Sequence, residues 1–143
     1  MEVKWICSPD GCPDAYEIRQ EVFIDEQKFT EEFDEIDHTC WHLVLYEAER
    51  AIACARIFFD EEAGCWHAGR IAVRKSERGR HLGKAVMDAI HEKVVSLGGD
   101  RVVLSAQCRA RVFYEKQGYQ AFGEEYFDEY CPHIMMEYRL NKK

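Results

Sequence analysis

The sequence predicts an α+β fold, on three observations. Short β-branched and aromatic runs separated by tight polar turns read as consecutive antiparallel strands. A longer segment then repeats its apolar residues at helical spacing, and a β-branched run after it completes a strand-helix-strand unit near the centre of the chain. At 143 residues, 47% of them hydrophobic, residues 1–143 have the size of one domain with its own core.

Pro13 through Ile24 reads as the first helix, because Ala15, Tyr16, Ile18, Val22 and Phe23 follow a helical stripe and Pro suits a first turn. The acidic stretch that follows, up to Asp37, lacks periodicity and reads as loop or a short second helix. Trp41 to Tyr46, Ile52 to Phe59 and Trp66 to Val73 are strands, joined by the turns EAER and DEEAG into a meander. In the next segment Leu82, Val86, Ala89, Ile90, Val94 and Leu97 share one helical face, and Gly98-Gly99 stops it. Arg101 to Ala106 is a buried strand, and Ala110 to Gln117 a short helix ended by Gly118. Tyr119 to Phe122 and Ile134 to Tyr138 complete the sheet through a polar loop. The chain carries no repeat or low-complexity segment.

Composition narrows function. A net charge of -8 argues against nucleic acid as the main partner, since phosphate binding needs cationic surface. No run approaches the roughly 18 apolar residues of a membrane span, and the first residues lack the apolar core of a secretory signal, so a cytoplasmic protein without membrane contact is expected. Cys7, Cys12, Cys40, Cys54, Cys65, Cys108 and Cys131 are odd in number and contain no CxxC pair, which suits reduced, mostly buried thiols. His38, Cys40 and His42 alternate so that a strand would put them on one face, the beginning of a zinc site. No fourth ligand is evident, and no metal is expected.

Charge is distributed unevenly. Glu21, Asp25, Glu26, Glu31, Glu32, Asp34, Glu35 and Asp37 stand against Lys28 alone, whereas Arg70, Arg74, Lys75, Arg78, Arg80 and Lys84 stand against Glu77 alone. Glu31 to Asp37 reads as a solvated acidic face. The basic segment lies where a strand turns into the N-terminus of a long helix, where free backbone N–H groups and the helix dipole suit a phosphate. Gly79 and Gly83 permit close backbone approach, and Arg78, Arg80 and Lys84 supply charge. A P-loop is excluded because three residues separate Gly79 from Gly83 and Ala85 follows Lys84. The dinucleotide GxGxxG fingerprint is absent too.

The stretch from Arg78 to Gly83 resembles the R/Q-x-x-G-x-G/A pyrophosphate loop of the GNAT superfamily of N-acetyltransferases. The strand GRIAV, the strand end LSAQ and the helix AxxFYEKxGY from Ala110 to Tyr119 follow in that family's order, so the resemblance spans the chain. The opening IRQEVFIDEQ, Ile18 to Gln27, and the later PHIMM, Pro132 to Met136, resemble the ElaA/YjcF-like branch. This implies the GNAT (acyl-CoA N-acyltransferase) fold as a single domain over 1–143, with a mixed central β-sheet, a splayed strand pair and flanking helices.

The resemblance implies acetyl-CoA as co-substrate and no metal. The amides of Arg80, His81, Leu82, Gly83 and Lys84, beside Arg78 and Gly79, would hold the pyrophosphate. Ile71, Ala72 and Val73 would pair with the pantetheine arm, and Phe113 and Tyr114 would also contact the cofactor. An amide near Ile71 or Ala72 would stabilise the oxyanion. Tyr114 stands where the family has its general acid; the alternative is an aromatic packed beside Phe113.

The chain departs from the family at Gly69, where many members carry Glu, so Glu26 is taken as the base, with Glu21 and His133 as alternatives, directly or through water; the acidic segment could equally bind the ammonium without acting as base. Glu21, Glu26, Gln27 and His133 are the implied substrate-side residues. His81 replaces the motif's first glycine. Cys108 would permit an acyl-enzyme, but no activating partner adjoins it in sequence, which favours direct transfer.

The implied function is therefore direct acetyl transfer to a primary amine of a small molecule or peptide through a ternary complex; the alternative is a non-catalytic acyl-CoA-binding or regulatory module. Relatives commonly dimerise, and the run Ile134-Met135-Met136 offers an apolar surface for a homodimer.

Overall fold

The structure, a computed structural model, describes residues 1–140. Its strands are β1 (Glu2–Ile6), β2 (Trp41–Glu47), β3 (Arg50–Asp60), β4 (Cys65–Val73), β5 (Arg101–Gln107), β6 (Gln120–Asp128) and β7 (Cys131–Arg139). Its α-helices are α1 (Pro13–Arg19), α2 (Leu82–Ser96) and α3 (Arg111–Lys116). The strands belong to a mixed seven-stranded sheet, β1-β2-β3-β4-β5-β7-β6, with flanking helices. The residues group into two compact units: Met1–Phe58 with Arg70–Ile90, and Phe59–Gly69 with the chain from His91 on.

In the first unit β1, β2 and β3 form an antiparallel meander, with Val3 opposite Leu45 and Leu43 opposite Ala55. The sequence reading missed β1. It is short and mostly exposed, and its only signal is the alternation of Val3 and Trp5. The predicted first helix is present but changes character: α1 passes into a π-helix, Gln20–Glu26, whose exit is marked by Gln27 N–H bonding the Val22 carbonyl at 3.0 Å. Ile18, Leu43, Ile52, Ile57, Val86, Met87 and Ile90 build the core of this unit. Arg19 is buried among them at 1% exposure, a position that apolar patterning cannot anticipate.

In the second unit the first half of β4 runs parallel to β5, pairing Trp66 with Val102 and Ala68 with Leu104, and both strands continue beyond that ladder. β5 pairs antiparallel with β7, and β7 with β6. Val102, Val103, Leu104 and Ala106 are buried, as the β-branched run predicts. Gly99 is required by close approach, because a Cβ there would lie 2.6 Å from the Trp66 ring.

Two expectations need correction. The polar loop expected between Phe122 and Ile134 is mostly strand: β6 and β7 form a long hairpin, turning at Glu129 and Tyr130 and broken by an irregularity between Phe122 and Tyr126 with Gly123 at φ 75°. Polar residues there follow from exposure of β6, not from lack of structure. The run Ile134-Met135-Met136 is no apolar surface either. Ile134 and Met136 are buried, while Phe122, Phe127 and Tyr130 are exposed instead. Among the described residues no helix is long and apolar enough to cross a membrane.

Candidate active site

The basic segment leaves β4 through a 3-10 turn, Lys75–Glu77, and reaches α2 by way of Arg78, Gly79, Arg80 and His81. Gly79 has φ 84° with open space where a Cβ would stand. His81 has φ 60°, a conformation that favours glycine, so the histidine at the motif's glycine position takes up the glycine's backbone shape. Its carbonyl accepts the Ala85 N–H at 3.3 Å, which opens the helical ladder. The N–H groups of Leu82, Gly83 and Lys84 precede that ladder and have no carbonyl within the helix to bond. A strand end, an open Gly79 and a fifteen-residue helix thus make a backbone cradle suited to a phosphate.

The cationic side chains are already matched within the fold. Arg78 donates from both Nη atoms to the two oxygens of Glu26, at 2.7 Å each, and from Nε to the Val73 carbonyl at 3.1 Å. Arg80 bonds both oxygens of Glu47, at 3.0 and 2.7 Å, and also Glu77; Lys84 bonds Asp88 at 2.9 Å. The Arg78–Glu26 bonds raise the Arg78 pKa, and Arg80 lowers that of Glu47. Arg74 holds Glu21 at 2.6 Å and Glu17 at 2.7 Å, and the Lys75 N–H bonds the other Glu21 oxygen at 3.3 Å. Glu21 and Glu26, named as substrate-side residues from sequence, therefore fasten α1 and its π-helical extension to the basic segment. Gln27 ends that extension.

The acidic stretch is not the solvated face expected from its composition. Glu32 and Asp37 are buried, and both bind Arg19: Nε meets Glu32 Oε2 at 2.9 Å, and Nη1 meets Asp37 Oδ1 at 2.7 Å. Arg56 bonds Asp34 at 2.7 Å and Asp37 at 2.9 Å. Burial disfavours ionised Asp37, but Arg19, the Asp34 N–H and Arg56 outweigh it and bring its pKa down to about 2. Burial dominates at Glu32 and raises its pKa despite Arg70 and Arg19. The five acidic residues from Glu31 to Asp37 read as a solvated face because the arginine partners of Glu32, Asp34 and Asp37 lie in other elements, α1, β3 and β4, outside the segment.

Arg70 joins this network from β4. Its Nε and Nη2 donate to the Glu32 carbonyl at 3.1 and 2.9 Å, Nε also meets Glu32 Oε2 at 3.0 Å, and Nη2 meets Asp34 at 3.4 Å. Its φ is 52°, within a strand. Ile71, Ala72 and Val73 follow directly, with Ala72 buried.

In the second unit Tyr114 is 8% exposed and packs edge-on against Phe113 at 5.1 Å and Tyr119 at 5.8 Å. Burial pushes its phenol pKa up, which keeps the hydroxyl protonated. The Nδ1 of His133 lies 3.0 Å from the Cys131 carbonyl; a carbonyl only accepts, so the proton sits on Nδ1. Tyr126 stacks on His133 at 6.1 Å and shares a hydrogen bond with Ser105. Burial first, then the charge of Glu125 and Cys131, push the Cys108 thiol up, making it a weaker nucleophile at neutral pH.

His38 and His42 do not share a strand face, since His38 belongs to a 3-10 turn and bonds the Pro9 carbonyl at 2.8 Å. Asp37, Cys40 and His42 do converge, their ligand atoms within 4.8 Å of one another. Asp37 is spent on two guanidinium groups, and burial pushes Cys40 up to about 11. The His42 Nε2 bonds the Asp37 carbonyl at 2.8 Å. Two adjacent arginines and a protonated thiol make this donor set unsuited to a dication.

Known proteins resemble this chain in sequence and in fold. The profile of the acetyltransferase (GNAT) domain family matches residues 7–140. The uncharacterized N-acetyltransferase YjcF of Bacillus subtilis is 34% identical over 126 residues, covering 86% of this chain and 89% of that protein. Among solved structures, Escherichia coli ElaA superposes with a TM-score of 0.82 at 24% identity, over 95% of this chain and 99% of its own. An aminoglycoside 6'-N-acetyltransferase complexed with coenzyme A shares the fold with a TM-score of 0.75 at 12% identity, over 100% and 99% of the two chains.

Proposed function

The chain belongs to the acetyltransferase (GNAT) domain family, and on that footing we propose that it transfers the acetyl group of acetyl-CoA directly to a primary amine of a small molecule or peptide, as one domain over residues 1–143. The observation that carries the reading is the backbone cradle at the start of α2, where Gly79 and His81 both have left-handed φ and the first helical N–H groups lead. Arg80 through Lys84 hold the diphosphate by their amides, and Ile71 to Val73 meet the pantetheine arm as an added strand would. Phe113 and Tyr114 complete the acyl-CoA contacts.

The ammonium must shed one proton before its nitrogen attacks the acetyl carbon; as the new carbon–nitrogen bond is kept and the carbon–sulfur bond breaks, the nitrogen loses a second proton and the thiolate takes up one, so one proton is released for each ammonium consumed. Tyr114 supplies the thiolate's proton and Glu26 accepts the amine's, with Glu21, Gln27 and His133 on the acceptor side. A carboxylate paired bidentately with arginine is a weak base. Glu26 therefore gains basicity when a phosphate competes for Arg78.

A second reading is a regulatory module that binds acyl-CoA without catalysis. Gly69 in place of the family's Glu, together with the pairing of Glu21 and Glu26, favours it. A screen of amines for stimulated release of the CoA thiol separates the two. Stimulation by one amine class supports transfer. Acetyl-CoA binding with no stimulated release by any amine supports the module.

A further inference from the structure

Among the described residues, six non-glycine residues have positive φ, and of these only Arg70 lies within a strand. Such a backbone persists where its surroundings over-determine it, and it often marks a working part of a site. The surroundings here are explicit. Glu32 takes two hydrogen bonds from the Arg70 guanidinium at its carbonyl and a third contact at its carboxylate, and Asp34 takes one more. On the backbone, the Arg70 carbonyl accepts the Cys54 thiol at 3.6 Å.

That last contact fixes a direction. The peptide following Arg70 is trans, so the N–H of Ile71 points opposite to the carbonyl that faces Cys54. A residue in ordinary extended conformation would leave this peptide in another orientation. The guanidinium contacts and the orientation of the Ile71 amide are thus two ends of one constraint.

We propose that Arg70 is a positioning residue, clamped by Glu32 and Asp34 so that its left-handed backbone aims the Ile71 N–H as the hydrogen-bond donor to the thioester oxygen. This rests on the acetyl-CoA reading given above. It assigns the acidic stretch a task that neither Arg19 nor Arg56, whose φ values are ordinary, performs through its own backbone. Negative charge developing on the thioester oxygen needs a preorganised donor, and loss of one such donor typically costs about 100-fold or more in turnover. Misaiming it costs less, roughly 10- to 100-fold.

The test compares Arg70→Ala, Arg70→Lys and Arg70→Gly by turnover, by calorimetric acetyl-CoA affinity, and by the infrared carbonyl band of bound acetyl-CoA labelled with carbon-13 at its carbonyl. Arg70→Ala should lower kcat roughly 10- to 100-fold while affinity changes by less than about 3-fold, and should shift the carbonyl band to higher frequency. Lysine, which can still pair with Glu32 and Asp34, should recover part of both signals. Glycine should not, because it permits φ 52° without selecting it.

Asp34→Asn leaves Glu32 in place and should move the band part-way, which keeps the proposal open to test if the Arg70 variants fold poorly. An unchanged band with kcat within 2-fold of wild type in Arg70→Ala, or in Asp34→Asn where only that variant folds, would overturn the role of Arg70 alone. Failure of the wild type to bind acetyl-CoA would instead overturn the proposed function, and this role with it.

Discussion

Each Nη atom of Arg78 lies 2.7 Å from one carboxylate oxygen of Glu26, so the first residue of the phosphate-loop motif is bonded bidentately to the end of the π-helix. The pair couples two segments that the sequence separates by charge and by more than fifty positions. It also sets a condition on the catalysis proposed above: Glu26 would accept a proton only when Arg78 has another partner.

Glu26→Gln tests that condition. We expect kcat to fall about 10- to 100-fold and its rise with pH to flatten, because an amide cannot take the ammonium proton. A pH–rate profile of unchanged shape would remove Glu26 as the base and leave it as the partner of Arg78.

Tyr114→Phe separates proton donation from packing. The phenol is buried against Phe113 and Tyr119, and phenylalanine fills the same space. Turnover should drop roughly 10- to 100-fold with melting temperature and acetyl-CoA affinity nearly unchanged. Equal turnover would return Tyr114 to a packing role.

His81→Gly should stabilise the protein. A non-glycine residue at φ 60° carries strain of about 1 kcal/mol or more, of which the greater chain freedom of glycine in the unfolded state returns part. The expected outcome is a melting temperature higher by a few degrees with acetyl-CoA binding retained. A lower melting temperature would mean that the imidazole makes a compensating contact.

Asp37 ties stability to acid. Its folded pKa, about 2, lies below the ordinary 3.8, so its contribution is complete above the unfolded value and is lost as pH falls from about 4 toward 2. Glu32 runs the opposite way: its pKa is raised, so its protonation favours the fold as pH falls and makes the acid limb shallower. Asp37→Asn should cost about 3–5 kcal/mol at neutral pH, because Arg19 is left partly unpaired in the core, and should remove that part of the acid limb. Urea titrations at a series of pH values check both effects. An unchanged acid limb would show that Asp37 does not govern it.

Local signals were legible in the sequence. Strands β2, β3 and β4, the long helix, β5 and the helix ending at Gly118 follow from periodicity and turn residues, and the strand-to-helix turn before α2 follows from its glycines. What stayed hidden depends on partners distant in sequence. Arg19 is indistinguishable from a surface residue until Glu32 and Asp37 fold over it, and the strain at Arg70 arises from contacts to residues 32 and 34 rather than from any turn signal of its own. The part of β6 beyond Phe122 read as loop because a strand exposed on both faces loses the apolar half of the alternation on which strand recognition depends.

Calorimetric titration with acetyl-CoA, using ATP and NADPH as controls, tests the central claim most directly. The account predicts binding of acetyl-CoA and CoA but not of the controls, weakened about 10-fold or more when Arg78 and Arg80 are replaced by alanine and weakened further by salt. No binding of acetyl-CoA by the wild type would contradict it, for the cradle at the start of α2 would then serve another anion or none.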